Sequence, residues 1–260
     1  MLRVGETCLS NLIYLTYLIL SGGWNRRVHF TSRFRSPNPI PHIKIGPLDI
    51  VPVDKARNLG IILDSHLTLR GHINKICSSA SKSIHEIGKI RKYLSTAQTE
   101  KLVHAFISSN LDYCNSILTG LPLNDINKLQ RIQNTAARLI TLTKKSSHIT
   151  PTLITLHWLP VKQRIIFKIL KLTHKSLHGI APLYISELLE RRNVKQPRTL
   201  RSSQCNLTVP KTKTKTYGDR AFQKVAPNLW NNLPDYLKNT NNFNDFKSLL
   251  KTYLFNQAYF

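Results

Sequence analysis

The strongest constraint on the fold of this chain is the spacing of its apolar residues, which follows a helical period from Leu69 onward. Apolar side chains three and four positions apart fall on one face of an α-helix, and such a face has to be buried against other elements. The first stripe comprises Ile73, Ile76, Ala80, Ile84, Ile87 and Ile90. The sequence therefore predicts a mainly α-helical fold.

A different period precedes these helices. Ile43 and Ile45 alternate with polar residues, Ile50–Val53 follows a Gly-Pro turn, and Leu59–Leu63 is a short apolar run. Runs of this kind, bounded by turn residues, are typical of β-strands. We therefore expect a small N-terminal β-sheet with an exposed edge, through which the chain could self-associate.

Start signals divide the helical region into several segments. Ser95 or Thr96 is expected to cap one helix, and Asn124 or Asp125 the next, because these side chains accept hydrogen bonds from free backbone amides. The buried stripe of the first of these helices is expected to comprise Leu102, Val103, Phe106, Ile107 and Leu111. Further helices are expected at Val161–Leu177, Pro182–Arg191, Arg220–Trp230 and Phe243–Phe255.

The charge of the chain is large and unevenly distributed. Its 38 Lys and Arg residues outnumber 13 Asp and Glu residues, which gives a formal net charge of +25. No acidic residue lies between Asp125 and Glu187, so the field of that stretch has one sign. An anionic polymer or a membrane surface is the expected partner, and nucleic acid, RNA or DNA, is the leading candidate. A charge excess that only keeps the protein soluble would suit an evenly mixed surface better.

Within the acid-free stretch, Arg164, Lys168, Lys171 and Lys175 recur at spacings of four, three and four. A helix places these side chains on one face. We predict that this face contacts a phosphate backbone independently of base sequence. The alternative is a solvated face, and the lack of a balancing acid in the stretch favours phosphate contact. The other candidate nucleic-acid-binding residues are Lys144, Lys145, Lys211, Lys213 and Lys215.

The last three of these lysines alternate with threonines. On a strand, this alternation would place the ammonium groups of Lys211, Lys213 and Lys215 on one side, where they could contact phosphates. Protection of an edge strand by lysine explains the pattern equally well.

Other residue types give weaker signals. His174 and His178 have a spacing able to bind zinc, but no third ligand is evident, so no metal and no other cofactor is predicted. Trp158 and Trp230 are expected to anchor the core, with base stacking as the alternative. The four cysteines show no CxxC spacing, which favours a reducing compartment, the nucleus or the cytoplasm.

The first 27 residues differ in character from the rest. Leu9–Leu20 is an apolar run of signal-peptide length, but its charged start is weak because Glu6 offsets Arg3. We interpret the run as a buried or non-native leader, with secretion as the minority alternative. It is too short to span a bilayer comfortably, so a membrane partner is not expected.

Five motifs carry a resemblance to a known family. They are Leu59-Gly-Ile-Ile-Leu-Asp-Ser-His-Leu67, Leu111-Asp-Tyr-Cys-Asn115, Leu129-Gln-Arg-Ile-Gln-Asn-Thr-Ala-Ala-Arg138, His157-Trp-Leu-Pro-Val161 and Ala226-Pro-Asn-Leu-Trp-Asn-Asn-Leu-Pro234. In this order they resemble the C-terminal part of reverse transcriptases of non-LTR retrotransposons, the LINE-type, jockey- and Rex-like elements. The resemblance covers nearly the whole chain from Val28.

The resemblance implies a division of the chain. Residues 28–66 would be the last strands of the polymerase palm, 67–192 a helical thumb-like domain that grips template and primer, and 193–260 a basic connector with C-terminal helices. Residues 1–27 have no counterpart. The fragment would derive from an RNA-directed DNA polymerase.

The polymerase chemistry itself is not expected. Such an enzyme holds two metal ions with a carboxylate cluster, two members of which are normally adjacent in sequence. Here no two acids are neighbours, and the closest pair is Glu187 and Glu190. We therefore expect a non-catalytic nucleic-acid-binding remnant without a small-molecule substrate.

Two other readings stay open from the residues alone. One is an orphan fragment that acts only as an interaction or structural module. The other is a relative of AlkB-homologue tRNA-modifying proteins, which the stretch from Leu59 to about Leu94 also resembles. That family needs a His-x-Asp pair for its iron and a Gly-rich nucleotide loop, and this chain contains neither, so its residues do not support an oxygenase or methyltransferase.

Overall fold

The computed structural model of the chain describes Val28, residues 43–45 and 48–50, and residues 53–192, 206–214 and 217–260. The chain divides into two compact units, residues 1–76 and residues 77–260. Among the described residues it is mainly α-helical with a small amount of β structure at the N-terminal side, as the sequence predicts.

The β-strands among the described residues lie in the first unit and form two antiparallel pairs. Strand β1 (Ile43–Ile45) pairs with β2 (Leu48–Ile50), and β3 (Lys55–Asn58) pairs with β4 (Ile61–Asp64). The predicted strand at Leu59–Leu63 begins only at Ile61, because Leu59 and Gly60 form the hairpin turn. Their φ angles of 43° and 84° are those that a tight two-residue turn requires. Self-association through a sheet edge stays a prediction.

Asp64 is the last residue of β4, and its side chain hydrogen-bonds to the turn that leads into the first helix. Its carboxylate accepts hydrogen bonds from the Thr68 N–H at 2.9 Å, the Thr68 hydroxyl at 2.8 Å and the Leu69 N–H at 2.7 Å. Burial of the carboxyl raises its pKa, but the hydrogen bonds from Thr68 and Leu69 outweigh this effect and hold the pKa of Asp64 below its usual value.

Ten α-helical segments appear in the described residues. In chain order they are α1 (Arg70–Ile90), α2 (Thr96–Val103), α3 (Ser109–Asp112), α4 (Leu123–Thr141), α5 (Thr150–Thr155), α6 (Val161–Leu177), α7 (Leu183–Ser186), α8 (Phe222–Asn231), α9 (Asp235–Lys238) and α10 (Phe243–Tyr259). Helix α6 has the predicted bounds. Helix α2 has the predicted Ser95 cap, whose hydroxyl accepts from the Gln98 N–H while the Gln98 side chain accepts from the Ser95 N–H.

Several predicted helix limits are wrong. Helix α8 begins at Phe222 rather than Arg220, and α10 ends at Tyr259 rather than Phe255. Helix α4 starts directly after Pro122 rather than at an Asn124 or Asp125 cap, since the fixed φ of proline already suits a helix start. The predicted helix Pro182–Arg191 ends at Ser186. The chain beyond it pairs through its backbone with residues 206–208: the Thr208 N–H donates to the Glu190 carbonyl at 2.8 Å, and the Arg192 N–H donates to the Asn206 carbonyl at 3.0 Å.

Two predicted core residues lie at the surface, and one of them, Ile90 at the C-terminal end of α1, is 46% exposed. Phe106 is 53% exposed, whereas Val103, Ile107 and Leu111 of the same stripe are buried. Residues 104–108 form a π-helical turn between α2 and α3. A π-turn contains an extra residue, which shifts the side chains that follow around the helix axis. The helical period therefore breaks down at this position.

Helix α6 lies at the centre of the second unit, with α4, α8 and α10 packed around it. Its buried Leu170 belongs to a hydrophobic cluster that also comprises Leu159, Leu207, Trp230, Leu233, Leu237, Phe246, Leu250 and Leu254. The predicted boundary between residues 192 and 193 runs through this cluster, because members from both sides of it pack together. Trp158 and Trp230 are 4% and 2% exposed, as expected of core anchors.

Candidate nucleic-acid interface

Helix α6 is anchored by polar side chains of α4, and this fixes which of its faces points outward. The Val161 N–H donates to the Gln130 side-chain oxygen at 2.8 Å, and the Gln133 amide donates to the Leu159 carbonyl at 2.8 Å. Ile165 and Ile169 are buried on the inner face. The lysines of the helix therefore lie toward the outside.

Three of these lysines, together with one from α10, form a positively charged group that we call the lysine cluster: Lys168, Lys171, Lys175 and Lys247. Burial of the Lys171 side chain lowers its pKa, and the ammonium groups of Lys168, Lys247 and Lys175 lower the pKa further. The carboxylate of Asp112 acts on the pKa of Lys171 in the opposite direction. Like charges thus repel within the cluster, and an anion placed among them would relieve that repulsion.

Two aromatic rings support the cluster. The Lys171 ammonium lies 5.2 Å from the centroid of the Phe167 ring and 5.9 Å from that of Phe243, and the Lys175 ammonium lies 4.7 Å from that of Phe243. These distances fall within the range of cation–π attraction, which is about 6 Å. The rings hold the two half-buried ammonium groups together on one surface, although the charges repel each other.

Arg164 does not belong to this cluster, although the sequence places it on the same helix face. Its guanidinium lies 2.7 Å from the Asp112 carboxylate and donates to the Leu159 carbonyl at 3.0 Å. The Arg164 side chain is only 15% exposed. Asp112 is 52 residues away in the chain, so the acid-free stretch does acquire a balancing acid through the fold. The ion pair sets Arg164 apart from the lysines, and contact of Arg164 with phosphate stays a prediction.

Four of the remaining candidate lysines are described by the structure, and these lie on loops. Lys144 and Lys145 are exposed between α4 and α5. Lys211 and Lys213 are exposed, but residues 211–214 do not form a strand, so the predicted one-sided row is wrong there. The hydroxyl of Thr212 donates to Asp219, and the hydroxyl oxygen of Thr214 accepts from the Gly218 N–H, so the threonines shape a loop instead. Lys215 lies outside the described residues.

His174 of α6 and His178, which directly follows the helix, form a structural stack. His174 is fully buried, and its Nε2–H donates to the Thr240 carbonyl at 2.8 Å. The ring of His174 stacks on that of Phe246 with centroids 4.2 Å apart and on that of His178 at 4.0 Å. The Nδ1–H of His178 donates to the His174 carbonyl. In the described part of the chain, no three His, Cys, Asp or Glu residues come together as a metal site would require.

We expect His174 to make the stability of this unit sensitive to acid. Burial lowers its pKa, nearby His178 lowers the pKa further, and the Thr240 carbonyl opposes the shift. Its Nδ1 is buried without a hydrogen-bond partner, and the rings of Trp230 and Phe246 around it carry no charge. The pKa of this histidine in the unfolded chain is about 6.5. As the pH falls, His174 is therefore protonated in the unfolded chain before it is protonated in the folded one. Its contribution to stability is complete above about pH 6.5 and is lost as the pH falls below that value.

We expect His174→Gln to reduce this acid sensitivity, because glutamine keeps an N–H for the Thr240 carbonyl and does not titrate. The measurement is the urea midpoint at pH 7.5 and pH 5.5. Exposed His148, changed to Gln, is the matched control and should leave the wild-type difference in place. His72, whose pKa burial also lowers, accounts for a residual acid effect in both variants. Equal pH differences in His174→Gln and in wild type would contradict the assignment.

The sequence motifs turn out to contact one another. Gln130 and Gln133 of one motif bind the backbone of Leu159 and Val161 in another. The side chain of Asn231 exchanges two hydrogen bonds with the backbone of Leu207, at 2.8 and 2.9 Å. These residues are structural. The signal that could have identified them is a polar side chain at a buried position of an apolar helical stripe, as at Gln133.

Comparisons with protein-family models, with curated proteins and with solved structures find no match to this chain. The described helices include none that is both long and apolar enough to cross a membrane.

Proposed function

We propose that this chain binds the sugar-phosphate backbone of RNA or DNA without sequence preference through the lysine cluster, as a non-catalytic remnant of a non-LTR retrotransposon reverse transcriptase. The observation that carries the proposal is the group of four lysines from two helices: the ammonium groups of Lys171 and Lys175 lie against the rings of Phe167 and Phe243, and those of Lys168 and Lys247 are near enough to Lys171 to lower its pKa. Such groups neutralise phosphates and release condensed counterions, which drives binding without reading bases. The compartment that suits this role is the nucleus or the cytoplasm.

The exposed members of the cluster provide the test. Lys168→Gln combined with Lys247→Gln should weaken binding to unrelated duplexes equally, by roughly tenfold to a hundredfold at about 0.1 M salt. The slope of log affinity against log salt should become shallower by about two units, because two phosphate contacts are lost. The measurement is fluorescence anisotropy over a salt titration.

The matched control is Lys162→Gln combined with Lys101→Gln. Both lysines are exposed, and Lys162 lies about 120° around α6 from Lys168. This variant loses the same charge and should bind nearly as the wild type does. If the two double variants weaken binding to the same extent, the cluster has no special role and the net charge alone is responsible.

We also expect no primer extension by the purified chain with magnesium or manganese on RNA or DNA templates. The reason is the scattered distribution of its acids, which offers no adjacent pair to hold two metal ions in line with a 3′ hydroxyl. The measurement is incorporation of labelled nucleotide compared with a mock preparation. Incorporation above the mock level would refute the non-catalytic part of the proposal.

A further inference from the structure

Two exposed aromatic rings lie on the outer side of one helical run. Helix α2, the π-helical turn 104–108 and α3 follow one another without a break, so residues 96–112 form a single run. Phe106 within it is 53% exposed, and Tyr113, which directly follows it, is 52% exposed. The inner side of the run packs against α4. Neighbouring exposed apolar side chains, unlike single scattered ones, are typical of an interaction surface.

The part of the chain around these rings lacks the positive charge of the rest. Residues 94–127 contain one basic residue, Lys101, and three acids, Glu100, Asp112 and Asp125. Their formal charge is therefore −2, within a chain of +25. Two copies of a chain with so large a net charge repel each other where basic surfaces meet. A second copy can approach this face without that repulsion.

The charges of the run complement themselves. Lys101 lies five residues before Phe106, and Asp112 lies six residues after it. In a two-fold symmetric dimer, a contact of one residue with a second residue of the other copy is always matched by the reverse contact. Two antiparallel copies of the run that cross near Phe106 would therefore place Lys101 of each copy opposite Asp112 of the other. One patch thus supplies an aromatic centre and two ion pairs.

Asp112 can make such a pair and keep its present contacts. Its side chain is 45% exposed, with one carboxylate oxygen 2.7 Å from the Arg164 guanidinium and the other accepting from the Asn115 amide at 3.4 Å. Each carboxylate oxygen can accept a second hydrogen bond. Arg164 already holds the carboxylate in place, and Lys101 is exposed, so the contact requires no rearrangement of the fold.

We propose that the outer side of residues 96–113 binds a second copy of this chain, in an antiparallel two-fold dimer with Phe106 of each copy near its centre. The contact is one helix wide and so buries less than the roughly 1,200 Å² at which standard interfaces begin. The dimer is therefore weak, with a Kd of about 10–100 μM. It involves no lysine of the lysine cluster, and it is distinct from association through the sheet edge.

The experiment is sedimentation velocity of the full chain, freed of nucleic acid, between about 1 and 200 μM at about 0.3 M salt, where long-range repulsion is screened. The wild type should pass from monomer to dimer over this range. Phe106→Ser should raise the Kd at least about tenfold, because each dimer loses two aromatic rings. Tyr236→Ser is the matched control: this tyrosine of α9 is 55% exposed, and its replacement should leave the Kd unchanged.

A second variant tests the same face without changing the ring. Lys101→Glu should raise the Kd about threefold to tenfold, because two exposed ion pairs become two repulsive pairs. Lys162→Glu, an equal charge change at an exposed position of α6, is its control and should have no such effect. A chain that stays monomeric at about 200 μM, or a Kd that neither Phe106→Ser nor Lys101→Glu raises, would overturn the dimer assignment. Either result would leave the proposed function intact, since the lysine cluster is not involved.

Discussion

Phe246→Ala is expected to lower the free energy of unfolding by about 3–5 kcal/mol, the range for removal of a fully buried aromatic ring. Phe246 has no exposed surface, stacks on His174 with centroids 4.2 Å apart, and lies 5.9 Å from the Trp230 ring. The alanine variant would leave a cavity, because the close-packed neighbouring side chains cannot move enough to fill it. It would also loosen α10, the helix that supplies Lys247 and Phe243 to the lysine cluster.

Denaturant unfolding of the wild type and the variant measures this effect. The matched control is Leu249→Ala on the same helix, whose side chain is 42% exposed. An exposed position of this kind should cost less than about 1 kcal/mol, because much of its surface already contacts water. If the two variants were equally stable, the hydrophobic cluster around α6 would not be the core of this unit.

Arg164→Met is expected to destabilise the fold by about 2 kcal/mol. The change removes the ion pair with Asp112, the hydrogen bond to the Leu159 carbonyl and the cation–π contact with the Trp158 ring, while methionine fills part of the same volume. A fully buried pair would cost about 3–5 kcal/mol to break, but the Asp112 side chain is 45% exposed and water can solvate it after the change.

The same variant tests whether Arg164 stabilises the fold while the lysines bind phosphates. The folded fraction of Arg164→Met should bind nucleic acid with nearly unchanged affinity and salt slope, unlike the Lys168 and Lys247 double variant. Lys162→Met, an exposed change in the first turn of α6, should alter stability by no more than about 0.5 kcal/mol. A double-mutant cycle that combines Arg164→Met with Asp112→Ala should give a measurable coupling energy between these two side chains. If Arg164→Met lowered the affinity for nucleic acid without lowering the stability, Arg164 would be a phosphate-binding residue.

The sequence by itself determined the features that depend on local interactions. The helical period between Pro160 and Leu177 predicts α6 with its observed limits, because a buried stripe and a proline at the start act within one segment. The Ser95 cap follows from neighbouring backbone amides. The outward direction of Lys168, Lys171 and Lys175 follows from their spacing alone, since side chains three and four apart share a helix face.

Tertiary structure decided the features that depend on residues distant in the chain. No local pattern could pair Arg164 with Asp112 or add Lys247 of α10 to the lysine cluster. The segment beyond Ser186 leaves the predicted helix because its backbone pairs with residues 206–208. The physical reason is the same in each case: the free energy of these contacts arises only when helices separated by tens of residues pack together, and propensity within one segment does not include it.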